Sequence, residues 1–252
     1  MNKAYTSSQC KGARSQMAAI NASAFSADKV KFQVPKRLEQ GGIVGITYED
    51  APLELKIPAA RVPFDCGMGY QNKGKKVELK LEIPGTAVFN KTRDALKKIE
   101  EAARTHVRDN AGDICQAIRL TAARENDLRN GANFHGLLRP ANDPKYPDLL
   151  TMKWVVPDPN KSDKEIPIVD IANNPIGWDV IKRDATVVAV IRIKSVFINS
   201  TMWTIQVEPV ALCVTSTKKE VNTSTLFAEE MAQAAKRPRM SGPEEEEESE
   251  GA

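Results

Sequence analysis

Residues Val187–Val214, VVAVIRIKSVFINSTMWTIQVEPVALCV, contain the pattern from which the fold class is predicted. From Val187 to Phe197 every second residue is mostly apolar, while Arg192 and Lys194 occupy the other parity. This two-residue period is typical of a β-strand with one buried face and one face in water. The segment therefore predicts a strand whose wet side is basic.

A second strand follows directly, with Trp203, Ile205 and Val207 on its apolar parity. A three-residue loop, Asn199–Thr201, keeps the like faces of the two strands together. This register pairs Lys194 with Gln206, Arg192 with Glu208 and Phe197 with Trp203. The prediction is a hairpin with a dry side and a basic, hydrogen-bonding side.

The composition indicates one substantial folded domain. The chain has 252 residues, of which 41% are hydrophobic, and this length is enough for a single core. No run of 18 apolar residues occurs and the N-terminus has no apolar signal core, so we expect an intracellular protein without a membrane span.

The charge is distributed unevenly along the chain. Six glutamates, Glu244–Glu248 and Glu250, lie near the C-terminus, and subtracting their charge from the total of +3 leaves +9 for the rest. A basic body favours a polyanionic partner, although a merely solvated surface has the same composition. The short basic cluster Lys236–Arg239 is compatible with nuclear import.

Short extended runs dominate the first half of the chain. Residues 1–28 have little periodicity and predict a flexible arm. Strands are expected at Lys31–Val34, Ile43–Tyr48 and Leu53–Ile57, with Pro52 and Pro58 confining their pairing to short strands or edges.

A basic loop precedes the next predicted strand, Val77–Ile83. It lacks the spacing of a nucleotide-hydrolysing phosphate loop. Its lysines, Lys73, Lys75 and Lys76, are either contacts for a phosphate backbone or an ordinary solvated hairpin tip.

Helical periodicity begins at Thr92. One amphipathic helix is predicted over Thr92–Arg108 and a second over Asp113–Leu128, which together form a helical insert at about residues 92–130. Further strands are expected at Leu149–Val156, with Trp154 on the apolar face, and at Ile166–Ile171. The domain ends near residue 216, and residues 217–252 form a flexible tail with a disordered acidic end.

The chain offers little for catalysis or metal binding. Four cysteines are scattered without C-x-x-C spacing and only two histidines, His106 and His135, are present. No nucleophile–base pattern accompanies them. We therefore expect a non-enzymatic protein with no metal and no cofactor.

The order of these segments resembles a known family. Along the chain, Ile46–Pro58 and Val62–Phe64 are followed by a lysine-rich loop and strand, a helix, Tyr146-Pro147 with a strand, and a basic terminal hairpin. This order is similar to that of the single-stranded-DNA-binding OB-fold proteins of large nucleocytoplasmic double-stranded-DNA viruses. The similarity spans roughly residues 43–215, with Asp65-Cys66-Gly67 departing from the expected pattern. It implies a β-rich α+β fold: an OB-like antiparallel β-barrel over residues 29–216 with one or two helices inserted.

The resemblance also implies where such a barrel would bind DNA. Lysine and arginine track the phosphates and aromatic rings stack on the bases. The cations expected at this site, either from the resemblance or because they lie near such positions in the sequence, are Lys73, Lys75, Lys76, Lys153, Lys182, Arg183, Arg192 and Lys194. Tyr70 and Trp203 are the candidate stacking residues, although the parity of its strand places Trp203 in the core.

The expected function is sequence-independent binding of single-stranded DNA in viral DNA replication, recombination or repair, in the host nucleus or at the viral replication site. The acidic tail would occupy the basic groove weakly when DNA is absent, recruit replication proteins, or only confer solubility, and homo-oligomers are possible. A histone-chaperone-like protein and a virion structural or packaging protein are the alternatives that the sequence leaves open.

Overall fold

The computed structural model describes residues 19–68, 76–141, 143–156 and 166–217. The chain divides after Thr217, close to the predicted boundary at residue 216, and the second unit, Lys218–Ala252, lies outside the described residues. The predictions for the basic cluster and the acidic tail fall there.

The described residues form thirteen strands and three α-helices. The strands are β1 Ile20–Asn21, β2 Val30–Phe32, β3 Lys36–Leu38, β4 Gly41–Tyr48, β5 Ala51–Arg61, β6 Gly67–Met68, β7 Lys76–Ile83, β8 Phe134–His135, β9 Leu138–Arg139, β10 Asp148–Val155, β11 Ile168–Asp170, β12 Thr186–Ile198 and β13 Trp203–Ser216. The helices are α1 Ala87–Asp109, α2 Ala111–Ile118 and α3 Ala122–Arg129.

The strands are divided between two open sheets. One sheet has nine strands with the path β1-β5-β4-β12-β13-β11, and β2, β3 and β8 add to it. The other has four strands in the order β6-β7-β10-β9. The prediction of a β-rich α+β fold is confirmed, but the OB-like barrel is not closed.

The β12–β13 hairpin forms the middle of the larger sheet, as predicted. Arg192 lies opposite Glu208, but the register shifts between Ile193 and Ser195. As a result Phe197 pairs with Thr204 and Ile198 pairs with Trp203. The predicted pairing of Phe197 with Trp203 is wrong, and the loop has four residues, 199–202.

The shift reverses the inward parity of the strand. Ser195, Val196 and Ile198 are buried, whereas Phe197 is only half-buried. The Ser195 hydroxyl donates a 2.8 Å hydrogen bond to Oε1 of Gln206, which satisfies this buried polar group. A β-bulge thus turns two consecutive side chains towards the core.

Strand β12 also pairs with β5 over most of its length and with β4 near its end. β5 is longer than predicted, because the sheet accommodates Pro58 instead of stopping there. The register skips between Ala189↔Ile57 and Val187↔Ala60, at the point where Pro58 has no N–H to donate.

The helical insert contains three helices instead of one or two. α1 begins five residues before the predicted start and buries one face, including Leu96, Ile99 and Ala103. The second predicted helix is broken at Arg119, whose φ is 60°, and Thr121 caps the new helix by accepting a hydrogen bond from the Arg124 N–H.

The N-terminal segment joins the fold earlier than predicted. Ile20 and Asn21 pair in parallel with Leu55 and Lys56. Phe25 is buried against Tyr48, with ring centroids 5.7 Å apart. The part of the predicted arm from residue 20 onwards is therefore structured, because its apolar side chains find a place in the core.

The buried side chains of both sheets and the helices belong to one hydrophobic cluster. Trp154 and Trp203 are both part of it. No helix in the described ranges is long and apolar enough to cross a bilayer.

Candidate nucleic-acid interface

The outer face of the smaller sheet carries four positively charged side chains. β7 and β10 turn most of their apolar residues inward, and Lys76, Lys80 and Lys153 lie on the opposite face, which also exposes Val155. Arg139 of β9 pairs with Leu149 and extends this face. We call Lys76, Lys80, Lys153 and Arg139 the cationic face.

Two carboxylates share this face: Glu82, which contacts Arg61 at 2.8 Å, and Glu78, which lies among the lysines. Glu78 stands directly opposite Lys153 and contacts its ammonium at 2.7 Å, and it also contacts the Lys80 ammonium at 3.2 Å. Partial burial alone would raise the pKa of Glu78, but the hydrogen bonds and charges of Lys153 and Lys80 outweigh it and leave the pKa lowered. Glu78 thus stays ionised and holds both lysines close to the sheet.

An exposed aromatic ring borders the cationic face. Phe64 is 55% exposed, and the Lys80 ammonium lies 5.4 Å from its ring centroid. Three residues later Gly67 pairs with Glu78, so the chain runs from the ring directly into the edge of the smaller sheet. A base could stack on this ring without any rearrangement of the core.

The loop that carries Phe64 is held on both sides. The Val62 N–H donates to the Ala185 carbonyl and the Cys66 N–H donates to the Ile181 carbonyl, both at 2.9 Å. These bonds fix the ends of a short segment whose only large exposed side chain is Phe64. The ring is therefore presented at a defined position.

The same loop is adjacent to two predicted cations. The Arg183 N–H donates to Oδ1 of Asp65 at 2.7 Å, which places Lys182 and Arg183 beside Phe64. Both side chains are exposed, and neither has a carboxylate within ion-pair distance among the described residues. The structure thus brings four predicted cations, Lys76, Lys153, Lys182 and Arg183, to the cationic face and its bordering loop.

The hairpin face is not the basic surface that the sequence predicts. Arg192 contacts Glu54 at 2.6 Å and Glu208 at 3.3 Å, and Lys194 contacts Glu208 at 3.2 Å. Two cations and two carboxylates therefore neutralise one another across three neighbouring strands. A phosphate would have to compete with these partners for either cation.

The predicted stacking residues do not lie at the interface where the structure describes them. Trp203 is fully buried, its indole N–H donates to the Ala132 carbonyl at 2.9 Å, and its ring packs on Phe134. The parity-based placement in the core is confirmed, and stacking on a base is excluded in this conformation. Tyr70, Lys73 and Lys75 lie outside the described residues.

Three members of the interface, Phe64, Lys80 and Arg139, were missed by reasoning from the sequence. Lys80 lies on the same parity of its strand as Lys76, and this alternation could have identified it. Phe64 follows Pro63 just after a strand, at a point where an apolar residue no longer has an alternating partner. That break in alternation is the signal that could have identified it. Arg139 lies in a two-residue strand without any sequence periodicity to reveal it.

Burial shifts the pKa of two cysteines and one histidine among the described residues. Burial raises the pKa of the Cys66 thiol to about 12 and also raises that of Cys115. Burial lowers the pKa of His106, whose ring stacks on Phe32 with centroids 4.2 Å apart. Within the described ranges, no three histidine, cysteine or acidic side chains are grouped as a metal would require.

No protein-family model matches the chain, and no curated protein matches it. Among solved structures it is similar to the single-stranded DNA-binding protein of bacteriophage Enc34 in complex with ssDNA, with a TM-score of 0.43 and 12% identity, over 75% of this chain and 97% of that one. The same phage protein without DNA gives a TM-score of 0.43 at 12% identity, covering 78% and 99% of the two chains. Its C-terminal truncation gives 0.42 at 12% identity, covering 77% and 99%. Similarity at this level does not identify a ligand for the present chain.

Proposed function

We propose that the protein binds single-stranded nucleic acid, without reading its sequence, across the cationic face and the ring of Phe64. The observation that supports this most directly is the exposed Phe64 ring with a lysine ammonium 5.4 Å from its centroid, at the edge of a sheet face with three further cations. Proteins that bind unpaired strands combine cations, which contact the phosphates, with an aromatic ring on which a base can stack.

The geometry favours single strands over a duplex. The bases of a duplex are stacked on one another, and an exposed phenylalanine ring can only stack on a base that has left its neighbours. The lysines of the face can neutralise phosphates, which carry no sequence information. Binding is therefore expected to tolerate any sequence and to weaken steeply with salt.

The family resemblance extends this proposal to DNA metabolism. In that setting the protein would protect unwound viral DNA during replication, recombination or repair, in the host nucleus or at the viral replication site. The acidic tail would then either recruit replication proteins or compete weakly with DNA for the cationic face. These roles rest on the resemblance and on the sequence of the tail.

The test is a titration of fluorescent oligo-dT, and of a duplex of the same length, with the full chain at two salt concentrations. We expect tighter binding to the single strand and a strong loss of affinity at the higher salt. Equal or tighter binding to the duplex contradicts the proposal. Absence of any affinity for either polymer also contradicts it and leaves the chaperone and virion alternatives.

A further inference from the structure

A second charged cleft lies between α1 and the end of α3. It has a volume of about 290 Å³ and is lined by Glu101, Arg104, Arg108, Arg129, Asn130 and Gly131. Arg104 and Arg108 are one helical turn apart and therefore share a face of α1. Two helices thus direct three guanidinium groups to one small cleft.

Arg104 is held in place without a carboxylate. Its guanidinium carbon lies 5.3 Å from the ring centroid of Phe134. Its Nη2 atom also lies close to Gly131, in the turn that follows α3: a methyl group added at Gly131 would be 3.5 Å from this nitrogen. None of the described carboxylates lies within ion-pair distance of Arg104. Its hydrogen-bond donors remain free for an external acceptor.

Arg108 and Arg129 also have N–H donors that are not used by the described residues. Within the described residues, Arg108 donates one hydrogen bond, from its Nε–H to Asp109 at 2.9 Å. Arg129 donates from Nε and Nη2 to a single oxygen of Glu125, at 3.1 and 2.7 Å. Each guanidinium has five N–H donors, so several remain on both residues.

The carbonyl groups at the end of α3 do not need hydrogen bonds from these arginines. Its last carbonyls, of Asn126, Asp127 and Leu128, accept hydrogen bonds from the backbone N–H groups of residues 130–132. The arginines are therefore not required as caps for the helix end.

The charges around the cleft restrict the ligand. The three arginines face Glu101, Asp109 and Glu125, and Glu100 interacts electrostatically with Arg104, so long-range attraction of an anion is weak. Recognition must depend on short contacts, which a compact group with two negative charges and at least three peripheral oxygens makes best. A phosphate diester exposes fewer charged oxygens than a phosphate monoester or pyrophosphate.

We propose that this cleft binds a phosphate monoester or pyrophosphate group through Arg104, Arg108 and Arg129. Such a group belongs either to a free phosphorylated compound or to the 5′-phosphate end of a nucleic acid. The site is separate from the cationic face and does not depend on the proposed binding of single strands.

The test is calorimetric titration of the full chain with sodium pyrophosphate at low ionic strength. The variant R108Q/R129Q removes two half-exposed arginines, and K91Q/K97Q, which removes two exposed lysines of α1 outside the cleft, is the charge-matched control. We expect saturable binding that R108Q/R129Q weakens at least about tenfold and the control by less than about twofold. R108K/R129K, with the charges kept and the planar forks removed, should give an intermediate affinity.

Absence of saturable binding to the unmodified protein overturns the proposal, as does equal weakening by R108Q/R129Q and K91Q/K97Q. Oligonucleotides with and without a 5′-phosphate identify the source: tighter binding of the phosphorylated strand assigns the cleft to nucleic-acid ends, and equal affinities assign it to free compounds. F64A should reduce oligonucleotide binding while leaving pyrophosphate binding unchanged, so the two sites can fail independently.

Discussion

Replacing Phe64 with alanine removes the proposed stacking platform while leaving every cation in place. A base stacked on an aromatic side chain contributes about 1–3 kcal/mol, so the dissociation constant for oligo-dT should rise about fivefold to about 150-fold. The ring is 55% exposed, and its contact with Lys80 contributes only about 0.5–1 kcal/mol at such a site. The fold should therefore tolerate the change.

The assay is fluorescence anisotropy with labelled oligo-dT at one low salt concentration, with thermal unfolding recorded for each variant. Tyr146→Ala is the matched control, because Tyr146 is 56% exposed and has the Lys145 ammonium 4.9 Å from its ring centroid. An unchanged affinity of Phe64→Ala for oligo-dT, with the protein folded, refutes the stacking role of Phe64.

The remaining predictions concern the carboxylates that neutralise cations. Glu78→Gln should tighten oligo-dT binding about threefold, the value expected from removing one negative charge about 7 Å from a phosphate in water; unchanged or weaker binding in the same anisotropy assay would speak against contact with Lys80 and Lys153. Arg192→Ala should destabilise the protein by about 1–3 kcal/mol in urea unfolding, because Glu54 loses its described ion-pair partner and Glu208 keeps only Lys194, while oligo-dT affinity stays nearly constant; a large loss of affinity without a loss of stability would instead place the binding site on the hairpin face. Because its pKa is lowered by folding, Glu78 contributes stability above the ordinary value of 4.5 that is lost as the pH falls through the lower folded value; the stability of Glu78→Gln should therefore depend less on pH in this acidic range, and identical pH profiles would contradict the assignment.

Local patterns in the sequence were sufficient for the elements that depend on alternation. The strands β12 and β13, the inward face of β10 with Trp154, and the pairing of Arg192 with Glu208 all follow from the two-residue period. The bulge near Ser195 did not, because it is a feature of how β12 pairs with β13, and the buried Ser195 hydroxyl finds its partner, Gln206, on that neighbouring strand.

The charge state of the hairpin face depends on contacts that are distant in sequence. Arg192 and Glu54 are 138 residues apart, and only the pairing of β5 with β12 brings them together. The sequence pattern placed Glu208 opposite Arg192, but it could not identify Glu54, the second carboxylate that neutralises this cation. The same limitation applies to Phe64, because its candidate role depends on the contact of its ring with Lys80 of β7.

We expect the cationic face, and not the hairpin face, to neutralise the phosphates of a bound strand. The salt dependence of oligo-dT binding by K80Q/K153Q, compared with that of R192Q/K194Q, tests this expectation. The logarithmic salt slope should fall by about 1.4 for K80Q/K153Q, since each phosphate contact on a single strand contributes about 0.7, and should stay unchanged for R192Q/K194Q. An unchanged slope for K80Q/K153Q, together with a reduced slope for R192Q/K194Q, would contradict this expectation.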